Sequence, residues 1–267
     1  MIRIKTNNFN LKSTLLSGQS FRVEEYEKGF IIILDDRVVY VYMDNFYLIA
    51  VSNNENKIEE KLINYFDLLY DYESLFKIED EITLFNRGYK ILNQNKFETF
   101  ISYIISQNNN VKRISNIINN ISKDYGQEVI FMNKKYYLFP KYEVLRNITV
   151  NDLSKYKTGF RDKYIINGIK FLNNNINLLS NLELLTTKDA SLLLQTIKGI
   201  GPKVASCILL FSYHRFDSYP VDTYVLKYMK EVYNITSKKI IEEKMHSMHG
   251  NNCGIYIQYI YNYRRNN

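Results

Sequence analysis

One string constrains this chain more than any other: Leu194-Gln195-Thr196-Ile197-Lys198-Gly199-Ile200-Gly201-Pro202-Lys203-Val204-Ala205-Ser206-Cys207-Ile208. Apolar residues recur at helical spacing on both sides of a Gly-Ile-Gly-Pro break, so two helices meet there at a tight turn. Gly199 and Gly201 supply the backbone freedom, Ile200 points into the angle, and Pro202 suits the first turn of a new helix. Leu194, Ile197, Val204 and Ile208 then face one another. The bend leaves N–H groups of a helix N-terminus unpaired, which is where a phosphate oxygen binds without any side chain. Such a contact holds nucleic acid independently of its sequence. A lone Gly-x-Gly would more often mark an unliganded helical hairpin, and the whole string is much more specific.

Composition is compatible with a nucleic-acid partner. Lys and Arg number 35 against 28 Asp and Glu, a net charge of +7, and the chain carries 24 Tyr and 15 Phe. A basic, aromatic surface suits DNA, although a modest positive charge also solubilises proteins that bind none. Two cysteines, Cys207 and Cys253, are too few for a disulfide framework, a four-thiolate zinc site or a four-cysteine iron-sulfur cluster. His214 stands alone, and His246 with His249 lacks a third ligand, so no metal site is assigned and cofactor-free chemistry is expected. No apolar run reaches the roughly 18 residues of a membrane span. The stretch Met1–Asn8 has no apolar segment with a cleavage site, and a cytoplasmic location is expected, associated with the nucleoid in a prokaryote.

The chain divides into strands followed by helices. Ser20–Glu25, Gly29–Leu34, Arg37–Met43 and Phe46–Val51 are β-branched and aromatic runs separated by turn residues, which predicts an antiparallel meander. After Asn53 the period changes to 3.6 and stays helical almost to Arg265, with helical segments expected at Lys96–Ser106, Val111–Ser122, Asp162–Asn173, Lys188–Thr196, Pro202–Phe211, Thr223–Tyr233 and Gly254–Tyr263. The expected class is α+β. Residues 1–85 form an N-terminal antiparallel sheet domain with a flanking helix, and 86–267 a helical region holding the hairpin at about 190–211 and a loop at 218–224.

Two residues carry candidate chemistry. Lys203, in the first turn of the hairpin's second helix, lies where the macrodipole opposes a cation, and partial burial would favour a neutral, nucleophilic amine. An isolated lysine would more often be solvated or contact a phosphate, and the nucleophile is preferred within this string. Asp222, in Ser218-Tyr219-Pro220-Val221-Asp222-Thr223-Tyr224-Val225, precedes a helical run and is expected to be its N-cap. A capping carboxylate can also stabilise developing positive charge and relay a proton.

The hairpin followed by this Asp loop resembles the helix-hairpin-helix superfamily of DNA repair glycosylases. Within it the chain is similar to the 8-oxoguanine DNA glycosylase/lyase family, over nearly its whole length. Leu16-Ser17-Gly18-Gln19-Ser20-Phe21-Arg22 resembles the family's entry into the N-terminal sheet; the resemblance makes the Gly18 carbonyl the acceptor for the N7–H that distinguishes 8-oxoguanine from guanine. Ser106-Gln107-Asn108-Asn109-Asn110-Val111-Lys112-Arg113 resembles a segment in which Asn108 would fill the hole left by the flipped nucleotide and Arg113 would read the orphaned cytosine. Gly159-Phe160-Arg161-Asp162-Lys163-Tyr164 resembles a motif that makes Phe160 a wedge beside that base and Arg161 a second reader. By the same resemblance Cys207 packs on the flipped base, Tyr224 takes the place of a phosphate-contacting His, and Gly199 and Gly201 belong to the phosphate-gripping hairpin. On the C-terminal helix two alignments compete. One places Ile257 where the family reads the lesion's Watson-Crick edge and Tyr261 where it stacks; the other uses Gln258 as reader and puts Asn262 at the stacking site.

What the resemblance implies is a monomeric glycosylase/lyase acting on double-stranded DNA that contains oxidised guanine opposite cytosine. Lys203 would form a Schiff base and Asp222 would assist. It implies no cofactor beyond a monovalent cation at the hairpin-phosphate contact. A monofunctional glycosylase for alkylated purines and a non-catalytic DNA-binding hairpin protein are the alternatives. Lys203 argues against the first, and neither a hairpin lysine nor a distant Asp is needed by the second. An endonuclease III-like enzyme is disfavoured by the missing cluster cysteines.

Overall fold

The computed structural model describes residues 1–75 and 80–267. Five antiparallel strands, β1 (Ile2–Lys5), β2 (Val23–Tyr26), β3 (Gly29–Ile33), β4 (Val38–Asp44) and β5 (Tyr47–Ser52), lie in the order β1-β5-β4-β3-β2. The meander pairs β2–β3, β3–β4 and β4–β5 in succession, and β1, absent from the sequence expectation, pairs with the far edge of β5. Phe30-Ile31-Ile32-Ile33 and Val38-Val39-Tyr40-Val41 are continuous apolar runs because both faces of the sheet are covered. On one face Phe30, Ile32, Val39 and Val41 pack with Ile58 and Leu62 of the helix Ile58–Tyr65.

The other face is covered by a part of the chain that periodicity assigned to helix. Residues Glu128–Phe131 (β6) and Lys134–Tyr137 (β7) form an antiparallel hairpin whose Phe131 and Tyr136 pack on Ile31, Val38 and Tyr40. Val129-Ile130-Phe131 and Tyr136-Tyr137 have strand chemistry, with Met132 and Asn133 at positive φ in the turn. The sheet face that receives them, rather than local sequence, decides the outcome. Arg22 straps the hairpin down: its side chain, 5% exposed, donates to the Tyr137 carbonyl and lies 3.6 Å from Glu98.

The remaining chain is helical, as the 3.6 period predicts. The segments Lys96–Ser106 and Thr223–Tyr233 have the expected bounds, and five others begin or end within three residues of theirs. A further helix, Lys238–His249, lies in the stretch expected to be helical but had no bounds assigned. Two helices run through the core: Lys96–Ser106, buried continuously from Thr99 to Ile105, and Pro202–Tyr213, whose Val204, Ala205 and 207–212 are buried. They are joined by Tyr103 stacked on Phe211 at 5.4 Å and 13°, an arrangement worth about 0.5–1.5 kcal/mol beyond its buried area. With its body fixed in the core, the second helix presents only its N-terminus, the hairpin end, to solvent. No helix among the described residues is long and apolar enough to cross a membrane.

Candidate active site

The hairpin forms as its sequence requires. Helices Thr187–Gln195 and Pro202–Tyr213 flank the turn, and Leu194, Ile197, Ile200, Val204 and Ile208 are all buried within it. Gly199 has φ +105°, and a Cβ there would sit 2.4 Å from the ring of Tyr164. Gly201 is the N-cap, in extended conformation, with no side chain capping the helix. The helices starting after Asn110, Thr186 and Asp222 do receive a side-chain cap. The first-turn amides of the hairpin helix are therefore left for an outside acceptor.

Lys203 and Asp222 converge on one cleft of about 100 Å³, which Gly18, Cys207, Gln258 and Tyr261 also line. Lys203 is exposed at its mouth, not partly buried as its sequence position suggested, because the hairpin end of the helix projects from the core. Among the described residues its ammonium has no acidic partner within 4.0 Å. Asp222 caps the next helix, accepting from the Val225 N–H at 3.0 Å. Burial lifts its carboxyl above the ordinary aspartate value, against the downward pull of the Val225 amide and the Lys203 charge. Cys207, 3% exposed, has its thiol pushed up to about 11 by burial, with Lys203 opposing, and so presents a neutral, polarizable sulfur.

Gly18 has φ +87°, and a Cβ there would lie 2.9 Å from Arg265 Nη1, which donates to the Leu16 carbonyl. The residue that sequence reasoning missed is its neighbour Gln19, 1% exposed. Its amide donates to the carbonyls of Thr14 (3.2 Å) and Lys90 (2.8 Å) and accepts from Leu92 N–H (2.9 Å). Its own carbonyl accepts from Gln94 Nε2 (2.8 Å) and Tyr103 Oη (3.1 Å). These five bonds pin Gly18 to the cleft wall, and they delay the start of β2 to Val23 instead of Ser20. A glutamine beside a glycine at a strand entry was the available signal.

The C-terminal helix Cys253–Asn266 brings one residue from each of the two alignments to the cleft. Ile257 is fully buried in the core and Asn262 bonds Asn86 at 2.9 Å, so both point away. Gln258 and Tyr261, three residues apart, lie on one helix face and both reach the cleft. Gln258 donates to Tyr89 Oη at 3.0 Å, and Tyr261 meets Tyr224 edge-on at 5.6 Å and 88°. The two residues come from different alignments of the helix, and the shared helix face brings both to the cleft.

The proposed orphan-base residues form a separate cluster beside the hairpin. Asn108 is exposed with φ +49°, and Phe160 is 50% exposed, edge-on to Tyr164. Arg113 is exposed and donates to the Lys157 carbonyl at 2.8 Å. Arg161 differs from what a surface reader suggests: it is 3% exposed, with its guanidinium donating to the carbonyls of Gln107 (2.7 Å), Asn108 (2.7 Å) and Thr158 (3.1 Å). Of its five N–H donors, two remain.

An uncapped hairpin with a lysine at its tip, sharing an aromatic cleft with a half-buried aspartate, defines the class as a helix-hairpin-helix DNA repair glycosylase. Comparison with known proteins narrows this. Residues 1–100 match the 8-oxoguanine DNA glycosylase N-terminal domain, and residues 101–249 match the HhH-GPD superfamily of base excision DNA repair proteins. The chain is similar to the 8-oxoguanine glycosylase/lyase of Clostridium acetobutylicum, solved with double-stranded DNA containing cytosine opposite 8-oxoguanine. The TM-score is 0.90 and the identity 30%, over 100% of this chain and 98% of that one. It is 28% identical to the N-glycosylase/DNA lyase of Saccharomyces cerevisiae over 89% of this chain and 72% of that protein. It is 26% identical to a probable N-glycosylase/DNA lyase of Methanothermobacter thermautotrophicus over 90% and 89%. The chain belongs to the 8-oxoguanine DNA glycosylase/lyase family.

Proposed function

We propose that this protein flips 8-oxoguanine, paired with cytosine, out of duplex DNA, excises it and nicks the strand. The observation that carries the reading is the convergence of Lys203, Asp222, Gly18, Cys207, Gln258 and Tyr261 on one cleft. The hairpin amides around Gly201 grip a phosphate, together with a monovalent cation, and Tyr224 donates to another. Asn108 replaces the extruded nucleotide, Phe160 wedges beside the orphan cytosine, and Arg113 with the free donors of Arg161 reads it. In the cleft the Gly18 carbonyl accepts the lesion's N7–H, Gln258 meets its Watson-Crick edge, and Tyr261 and Cys207 pack its faces.

The Lys203 amine attacks C1′, and the glycosidic bond breaks with its electron pair leaving on the base, which takes up a proton. Asp222 offsets the positive charge on the sugar and accepts the proton released by the amine. Ring opening gives the protonated Schiff base. Loss of a C2′ proton then expels the 3′ phosphate by β-elimination, and hydrolysis frees the lysine. One chain supplies every group, so a monomer suffices.

Borohydride trapping tests this on a duplex with one 8-oxoguanine opposite cytosine, beside an undamaged duplex and one with an alkylated purine. A covalent adduct on the 8-oxoguanine duplex alone is expected. No adduct on any of them, with duplex binding intact, would refute the lyase chemistry in favour of a monofunctional or purely binding protein.

Asp222 makes a second, pH-dependent test. Its raised value means the carboxyl takes up its proton at higher pH than an ordinary aspartate, so single-turnover base release should decline on the acid side at a higher pH than an ordinary aspartate would give. The sign for stability is opposite. A raised folded value favours the neutral form, so the stabilisation is present at low pH and lost as pH rises through that value. Asp222→Asn, which keeps a good N-cap, should therefore leave melting near neutral pH unchanged or higher. It should also slow base release by about 10²-fold or more and remove the acid limb. A lower melting temperature with unchanged rate would make Asp222 only a cap.

A further inference from the structure

Three loops that sequence reading treats separately are stitched together by one side chain. Gln107, half-buried at the end of helix Lys96–Ser106, donates through Nε2 to the Gly199 carbonyl at 2.8 Å and to the Ile104 carbonyl at 3.1 Å. Its own carbonyl accepts from Arg161 Nε at 2.7 Å. Arg161 in turn holds Asn108 and Thr158, and Arg113 holds Lys157. The backbone at these joints is preset: Asn108, Lys157, Gly159 and Gly199 all have positive φ. The ring of Tyr164 closes over Gly199, four residues before Lys203. The loops carrying Asn108 and Phe160 thus meet the hairpin through a chain of hydrogen bonds in which Gln107 is the link.

We propose that Gln107 is a positioning residue for opposite-base discrimination, transmitting the placement of the orphan-base loops to the hairpin that carries Lys203. The inference rests on the function proposed above. Contacts to cytosine settle Asn108, Arg113 and Arg161, and the bond from Gln107 to Gly199 converts that pose into alignment of the amine with C1′. A displacement near 1 Å at a reacting centre costs orders of magnitude in rate. Without Gln107 the loops and the hairpin settle independently, so a correct base no longer secures a correct attack. Arg161, buried and three-fold bonded, acts here through the backbone it holds as well as through its free donors.

Gln107→Met keeps length and packing but loses the donor, and Gln107→Ala removes both. Base release is measured in single turnover for 8-oxoguanine opposite cytosine and opposite adenine, with melting temperature and affinity for a duplex containing an abasic-site analogue as controls. Loss of two modest hydrogen bonds predicts a fall of about tenfold opposite cytosine, little change opposite adenine, and hence a preference ratio reduced by about tenfold. Melting and abasic-duplex affinity should stay near those of the wild type in Gln107→Met. An equal fall opposite both bases, or an unchanged ratio, overturns the proposal and leaves Gln107 a packing residue. If Gln107→Ala fails to fold, Gln107→Met decides alone. A wild-type protein that releases no 8-oxoguanine at all would refute the underlying function instead, a separate outcome visible in the first lane.

Discussion

Lys203→Gln should abolish base release and strand nicking together, by about 10³-fold or more, while duplex binding and the melting transition stay close to wild type. The physical reason is the position of the side chain. Lys203 is exposed at the mouth of the cleft and has no ion pair within 4.0 Å among the described residues, so its removal breaks no packing and strands no buried partner. Gln preserves length and polarity but has no nucleophilic amine. Because glycosylase and lyase steps share this amine, both must fail at once. Loss of nicking with base release retained would indicate a water-driven excision, and loss of binding would make Lys203 a phosphate contact.

The second large effect separates two glycines that look equivalent in sequence. Gly199→Ala should destabilise the fold by about 2–5 kcal/mol, the sum of backbone strain and overpacking. Its φ of +105° disfavours any side chain, and the added Cβ would lie 2.4 Å from the Tyr164 ring. Gly201→Ala should change stability by no more than about 0.5 kcal/mol, since reduced unfolded-state entropy offsets a slightly poorer N-cap. Nothing lies within 4 Å of the Cβ it would acquire. Chemical denaturation of both variants measures the difference. Equal losses would show that the hairpin demands glycine at both places for conformational reasons alone.

How much was legible in advance depended on how local the determining physics was. The hairpin, the N-cap at Asp222 and the helices Lys96–Ser106 and Thr223–Tyr233 were readable because turn chemistry, capping and period act within a few residues. The β6–β7 hairpin was not. Its strands are stable because Phe131 and Tyr136 meet a sheet face some 90 residues earlier in the chain, from Ile31 to Tyr40. Gln19 stood in a visible motif, but its anchoring role was hidden because its partners Lys90, Leu92, Gln94 and Tyr103 are distant in sequence.

The same division runs through the site. Lys203 and Asp222 were candidates from their own short motifs, and the family resemblance added Gly18, Cys207, Tyr261 and Gln258. Their convergence on one cleft, the meeting there of Gln258 and Tyr261 from different alignments, the exposure of Lys203 and the enclosure of Arg161 were decided by tertiary structure. A motif specifies which group is available and how its own backbone turns. Burial and helix face decide where that group points, and both depend on elements that meet only when the chain has folded.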